Sequence, residues 1–257
     1  MFMRALGCLT IVAAIGLAIP YNQSVTAQQP AAPPARPTPR TQATMDLTGY
    51  WVSVVTEDWR WRMVTPAKGD FTSIPLNDEG RRVAGLWDPA TDGACQAYGA
   101  AGLMRMPGRL HITWEGDDIL KVETDAGQQT RLLQFAPKAP PGPKSLQGHS
   151  VAEWEPIGGA GSRGGGRGGP IGLALKVVTT NLAGGWLRRN GIAYSDAATL
   201  TEYWDRVTFP NGDSWLTVSQ YVNDPRYLTG DYTTSMHFKL EPDGSKFKPA
   251  PCRNIGS

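Results

Sequence analysis

The chain has 257 residues, 40% hydrophobic and 19% charged, with 25 Lys and Arg against 23 Asp and Glu. So even a balance gives no electrostatic reason to bind nucleic acid or an anionic membrane. The length is enough to bury a sizeable core without metals or dense disulfides.

Residues 1–27 read as a secretory signal peptide. Arg4 supplies a positive charge, residues 5–19 form an apolar run that Pro20 ends too early to span a bilayer, and Val25-Thr26-Ala27 offers small residues for cleavage. The mature chain then starts near Gln28, keeps no membrane span and works in the periplasm or outside the cell. Residues 28–44 are Pro, Ala, Gln, Thr and Arg with no apolar periodicity, and read as a disordered tether. Residues 45–257 read as a single β domain.

Along that domain, Gly49-Tyr50-Trp51 opens a strand predicted over 47–56. A second strand is expected over 58–64, with Trp59 and Trp61 sharing a face with Glu57 and Met63 while Arg60 and Arg62 take the other. Asn77 caps a helix that Asp78 and Glu79 favour and Asp88-Pro89 stops, with Val83, Leu86 and Trp87 on one side. Residues 109–114 put Leu110, Ile112 and Trp114 on one face of a strand and Arg109, His111 and Thr113 on the other. Residues 120–124 and 131–135 complete a meander. A proline-rich connector over 137–143 leads to a strand at 151–155, and residues 158–172, almost all glycine, read as a flexible insertion. Strands follow at 173–180, on either side of the Asn190-Gly191 hairpin turn, at 200–209, at 214–222 beyond Pro210-Asn211-Gly212-Asp213, and at 232–240. The fold class expected is mainly β, an antiparallel barrel or sandwich of about ten strands with one short helix.

Two cysteines remain after the leader, Cys95 and Cys252. An oxidising compartment lets such a pair bridge, and closing so long a loop is worth about 4 to 5 kcal/mol before strain. The chain also echoes itself. Trp114-Glu115 is followed by Leu120-Lys121-Val122-Glu123-Thr124, and Trp154-Glu155 by Leu175-Lys176-Val177-Val178-Thr179 once the glycine insertion is set aside.

Catalytic patterns are sparse. Gly148-His149-Ser150-Val151-Ala152 departs from a nucleophile elbow, because prolines precede it and a strand follows. His111, His149 and His237 lack the paired spacing of a zinc site, and no glycine-rich turn joins a strand to a helix, so neither metal nor cofactor is expected. His111 and His237 sit on polar strand faces. A polar lumen would turn them inward, where Glu123, Asp205 or Glu202 could orient an imidazole for acid–base work.

Trp114-Glu115-Gly116-Asp117, Trp186-Leu187, Tyr194-Ser195-Asp196-Ala197, Leu200-Thr201-Glu202-Tyr203 with Arg206, and Asp224-Pro225-Arg226-Tyr227-Leu228-Thr229 resemble a large group of exported bacterial β proteins of unknown function. Gly49-Tyr50-Trp51 is also similar to the Gly-x-Trp of lipocalin and calycin barrels. That second resemblance implies a late basic residue packed on the tryptophan, a role for Arg206, and a cavity for a small apolar molecule at a barrel mouth. The ligand-binding candidates are therefore Trp51, Trp59, Trp61, Tyr203, Arg206, His111 and His237. The expected function is binding of a small hydrophobic or aromatic ligand. The alternatives are a cofactor-independent hydrolase, lyase or isomerase in the same cavity, and an envelope interaction protein.

Overall fold

A computed structural model describes residues 36–93, 95–137, 139–156 and 173–253. The signal peptide expected over 1–27 and the glycine-rich insertion expected over 158–172 lie outside the described residues. In chain order the elements are α1 (Pro39–Gln42), β1 (Gly49–Val54), α2 (Trp59–Arg62), α3 (Asp78–Leu86), a 3₁₀ turn (Gln96–Tyr98) and α4 (Ala100–Leu103). Then come β2 (Arg109–Glu115), β3 (Ile119–Thr124), β4 (Ala126–Gly127), β5 (Thr130–Phe135), β6 (His149–Pro156), β7 (Leu173–Thr180), β8 (Gly185–Arg188) and β9 (Ile192–Tyr194). The last are β10 (Thr199–Thr208), β11 (Ser214–Asn223), β12 (Tyr232–Glu241) and β13 (Ala250–Pro251).

Nine strands close into a barrel in the order β1, β12, β11, β10, β7, β6, β5, β3, β2. Closure removes the open edges that a sandwich of the same strands would leave. Around the barrel the expected antiparallel pairing holds except between β5 and β6, which run parallel with Leu133 opposite Ser150. The barrel is mixed because the chain from 136 to 148 crosses back before pairing, where a tight hairpin would have reversed direction.

Inside the barrel, period-two alternation turns Trp51, Ile112, Leu133, Trp204, Val218 and Phe238 inward, each at most 1% exposed. They belong to one continuous apolar cluster. A second cluster, including Leu76, Ala84, Leu187, Ile192, Tyr194 and Leu228, fills a cap over one end. The cap is built mainly from the segments between β1 and β2 and between β7 and β10. A buried polar layer lies at this end of the barrel. Arg131 donates from Nη1 to Glu202 at 2.9 Å and from Nη2 to the other carboxylate oxygen, with both side chains fully buried. Arg131 Nη2 also reaches Thr179 Oγ1 at 3.3 Å, which shares a 2.8 Å hydrogen bond with Ser150. Gln220 Nε2 donates to the Ala101 carbonyl at 2.7 Å and fastens α4 to the barrel.

Cys95 and Cys252 are joined, their Cα atoms 5.3 Å apart. The bond holds the chain end where β13 pairs in parallel with β4.

Two sequence expectations differ from the structure. Residues 59–62 form the helical turn α2, where a strand was expected, because Asp58 at φ 52° starts the turn and the Trp61 and Arg62 amides donate to its carbonyl. In α3 the Asn77 side chain accepts from the Gly80 amide at 2.8 Å as expected. Its inner face, however, is Gly80, Ala84 and Trp87, while Leu86 is 69% exposed. Of the segment read as a disordered tether, residues 36–44 are described: Thr38 caps α1, and the Thr44 hydroxyl exchanges 3.1 Å hydrogen bonds with the Leu173 backbone.

The buried ion pair generates a stability prediction. Glu202→Leu alone leaves Arg131 charged and buried without its carboxylate, and should cost about 3 to 5 kcal/mol in urea unfolding. The double variant Arg131→Met with Glu202→Leu should recover most of that loss, with a coupling energy well outside error.

Candidate functional site

At the end of the barrel away from the cap, three inward-facing rings stand in a row. Phe135, from the end of β5, lies between Trp114 of β2 and Trp154 of β6. Each ring centroid is 5.6 Å from that of Phe135, with planes inclined by 30°. This separation lies in the range where aromatic pairs attract beyond their buried area. The two indoles arrive there by the same construction. Trp114 stands opposite Leu120 in the β2–β3 ladder, and Trp154 opposite Leu175 in the β6–β7 ladder. The internal echo is thus two equivalent hairpins, each carrying a tryptophan to the same rim.

A strap, residues 37–46, passes over this rim. Trp154 Nε1 donates to the Pro39 carbonyl at 2.8 Å, and the Arg40 amide to the Asp117 carbonyl at 3.2 Å. No residue of α1 is buried. Between strap and rim lies a cleft of about 330 Å³, bounded by Arg40, Ala43, Met45, Asp46, Thr48 and Trp114. A second cleft of about 230 Å³ lies beside Phe135, with Ile119, Gln134 and Pro137 on its walls. The larger is at the lower end of the volumes that hold small organic ligands.

Arg206 points inward at the same rim. Its guanidinium carbon is 5.6 Å from the Trp51 ring centroid, Nη1 donates to the Asp46 carbonyl and Nη2 reaches Ser214 Oγ at 3.2 Å. The arginine-on-tryptophan contact that the Gly-x-Trp resemblance implied is therefore present.

The remaining candidates do not converge. Trp51 is completely buried and donates from Nε1 to the Leu47 carbonyl at 3.0 Å, so it is core. Trp59 is 65% exposed on α2. Trp61, also on α2, is half-buried, donates to Asp70 Oδ2 at 2.8 Å and has Arg60 and Arg188 against its ring. Tyr203 points outward and meets Tyr221 edge-on at 6.0 Å.

His111 and His237 also face outward, because the alternate positions Leu110, Ile112, Met236 and Phe238 fill the lumen. Each nevertheless has a carboxylate. His111 Nδ1 is 3.3 Å from Glu123 Oε2 and its ring stacks on Tyr50 at 4.1 Å. His237 Nδ1 is 3.1 Å from Glu57 Oε2 and 3.2 Å from Thr56 Oγ1. Glu202, read as a possible partner for a histidine, is committed to Arg131. Among the described residues no group of three or more His, Cys, Asp or Glu could hold a metal ion. No described helix is long and apolar enough to cross a membrane.

No family model, curated protein or solved structure matches the chain. The reading of the site therefore rests on its own geometry.

Trp114, Phe135 and Trp154 were not among the sequence candidates, although the Trp-Glu echo had already placed two of them at equivalent strand ends. The assignment of Trp51 to the core and Trp59 to the surface is checked by truncation. Trp51→Ala should lower unfolding stability by about 3 to 5 kcal/mol, whereas Trp59→Ala should change it by no more than about 0.5 kcal/mol.

Proposed function

We propose that this protein is an exported binder of a small, flat hydrophobic or aromatic molecule, held at the barrel mouth and not in the lumen. What supports the reading is the row Trp114–Phe135–Trp154, in which Phe135 closes the filled lumen and the two half-buried indoles pack on it, with one cleft bounded by Trp114 and another by Phe135. Flat faces stack on such a row at little entropic cost, because each ring has only two side-chain torsions to fix. The strap is the natural cover. It is held by a few hydrogen bonds and buries no residue of α1, so opening it disturbs no core contact of that helix.

Export belongs to the same proposal. It is supported by the leader-like sequence of residues 1–27 and by the Cys95–Cys252 disulfide, a bond that persists in oxidising compartments. Binding is favoured over a hydrolase, lyase or isomerase at this place because the residues bounding the two clefts include no histidine.

The test is titration of the mature chain with N-phenyl-1-naphthylamine, followed by probe fluorescence. Saturable binding is expected. Trp154→Ala should weaken it roughly tenfold while leaving the circular dichroism spectrum that of a folded barrel, even though the melting temperature falls with the lost packing on Phe135. Removing residues 28–44 should speed association. A folded wild type that gives no saturable signal contradicts the proposal, as does a Trp154→Ala variant that binds unchanged.

A further inference from the structure

The cap contains an arginine whose donors meet no acceptor among the described residues. Arg188 ends β8 on the strand leading into the Asn190-Gly191 turn, and it is only 4% exposed. Among the described residues, none of its Nε, Nη1 and Nη2 atoms meets a hydrogen-bond acceptor. A guanidinium carries five N–H groups in a planar fork and does not shed its proton, so burial leaves all five to be satisfied as donors. The Trp61 ring lies against it, with the centroid 4.4 Å from Cζ, and beyond hydrogen-bond reach the Arg188 charge adds to the Trp61 and Thr72 hydrogen bonds that lower the pKa of Asp70. A cation–π contact offsets part of the cost of burying a charge and supplies no acceptor.

Its neighbours show what is missing. Arg62, 3% exposed, donates from Nη1 to Glu57 Oε1 at 2.9 Å and from Nε to the Arg105 carbonyl at 3.0 Å. Arg105, 4% exposed, donates from Nη2 to Asp58 Oδ2 at 2.9 Å, while its Nη1 has no acceptor among the described residues. In the barrel, Arg131 has Glu202. Each of these buried arginines is hydrogen-bonded to a carboxylate, and Arg188 is not. Asp70 accepts from Trp61 Nε1, and Asp92 accepts from Trp186 Nε1 at 2.8 Å through Oδ1, while its buried Oδ2 has no partner among the described residues.

The unanswered donors face a common space. Arg188, Arg105, Arg62 and Arg189 line a partly open cavity of about 20 Å³, with Trp61 and Trp186 among its walls. That space takes on the order of one or two oxygen-sized atoms, room for the two oxygens of a carboxylate whose carbon sits at the opening. A planar carboxylate matches the guanidinium fork with two parallel hydrogen bonds, and the match is strongest where water is excluded. Burial lowers the pKa values of Arg62 and Arg189, and in Arg62 the neighbouring charge of Arg105 adds to this while Glu57 and Asp58 oppose it.

We propose that Arg188, assisted by Arg105, binds the carboxylate of a small organic acid in this cap cavity, with the body of the acid leaving past Trp61 and Trp186. The site is separate from the barrel mouth and does not depend on the reading of that mouth.

The test compares formate, acetate and benzoate with chloride and sulfate at constant ionic strength, using the intact mature protein. The carboxylates should raise the wild-type melting temperature saturably, since a ligand that binds only the folded state stabilises it by mass action. Arg188→Met should abolish that rise. It should itself be at least as stable as wild type in chloride, because it removes a buried charge and breaks no hydrogen bond. Probe binding at the mouth should be unaffected. As a readout independent of any variant, [13C]formate should broaden on wild type and recover when benzoate displaces it. Carboxylates that act no differently from chloride overturn the proposal, as does stabilisation by sulfate alone or an Arg188→Met variant that keeps the carboxylate response. Formate that shows no broadening overturns it independently.

Discussion

The lumen of the barrel is full, and this constraint governs what the molecule can do. Nine strands turn their inward positions onto one another, and with Trp51, Trp204 and Phe238 among the side chains that fill the interior, the barrel is a core and not a container. A ligand entering it would have to displace packed side chains at a cost of several kcal/mol apiece. The proposed recognition is therefore assigned to the two ends. The Arg131–Glu202 pair, with Thr179 and Ser150, sets the apolar barrel interior apart from the cap, so the ends have different chemistry.

At the mouth the surface is aromatic and nearly neutral. Trp114, Phe135 and Trp154 offer faces, the strap supplies a cover, and Arg206 ties the cover to Trp51 through the Asp46 carbonyl. At the cap the surface is cationic and tight, with guanidinium groups stacked on indole and lining a cavity of a few atoms. The cap is also the better fixed of the two. The disulfide, the Gln220 bond to α4 and the Asn77 cap hold it to the barrel and to itself, whereas the strap is held by a handful of hydrogen bonds and by Met45, which packs against the barrel core.

Much of the fold was legible in the sequence because strands of a filled barrel alternate strictly. Leu110, Ile112 and Trp114, or Met236 and Phe238, announce their inward face through their spacing alone, and Asn190-Gly191 announces its turn, with Gly191 at φ 79° beneath Trp87. Where the pattern was short it misled. Trp59-Arg60-Trp61-Arg62 alternates like a strand, yet four residues fit one helical turn equally well, and the left-handed Asp58 decided the matter. There the expected polarity was inverted, with Arg62 buried and Trp59 exposed, because Glu57 and the Arg105 carbonyl answer the guanidinium. The buried arginines left no signal, since Arg188 beside a hairpin turn reads as a solvent-facing residue. The mouth was half legible. The Trp-Glu echo located two of its three rings, and only the parallel β5–β6 pairing, invisible to local pattern, brings Phe135 between them.

The central claim, that ligand recognition belongs to the ends of a filled barrel, can be read residue by residue from the indole N–H resonances of the nine tryptophans. In a 15N-correlated titration with N-phenyl-1-naphthylamine, the account predicts that Trp114 and Trp154 shift while Trp51 and Trp204, sealed in the lumen, stay in place. Shifts confined to Trp51 and Trp204, with the rim resonances unmoved, would show that the lumen opens to ligand and would contradict it.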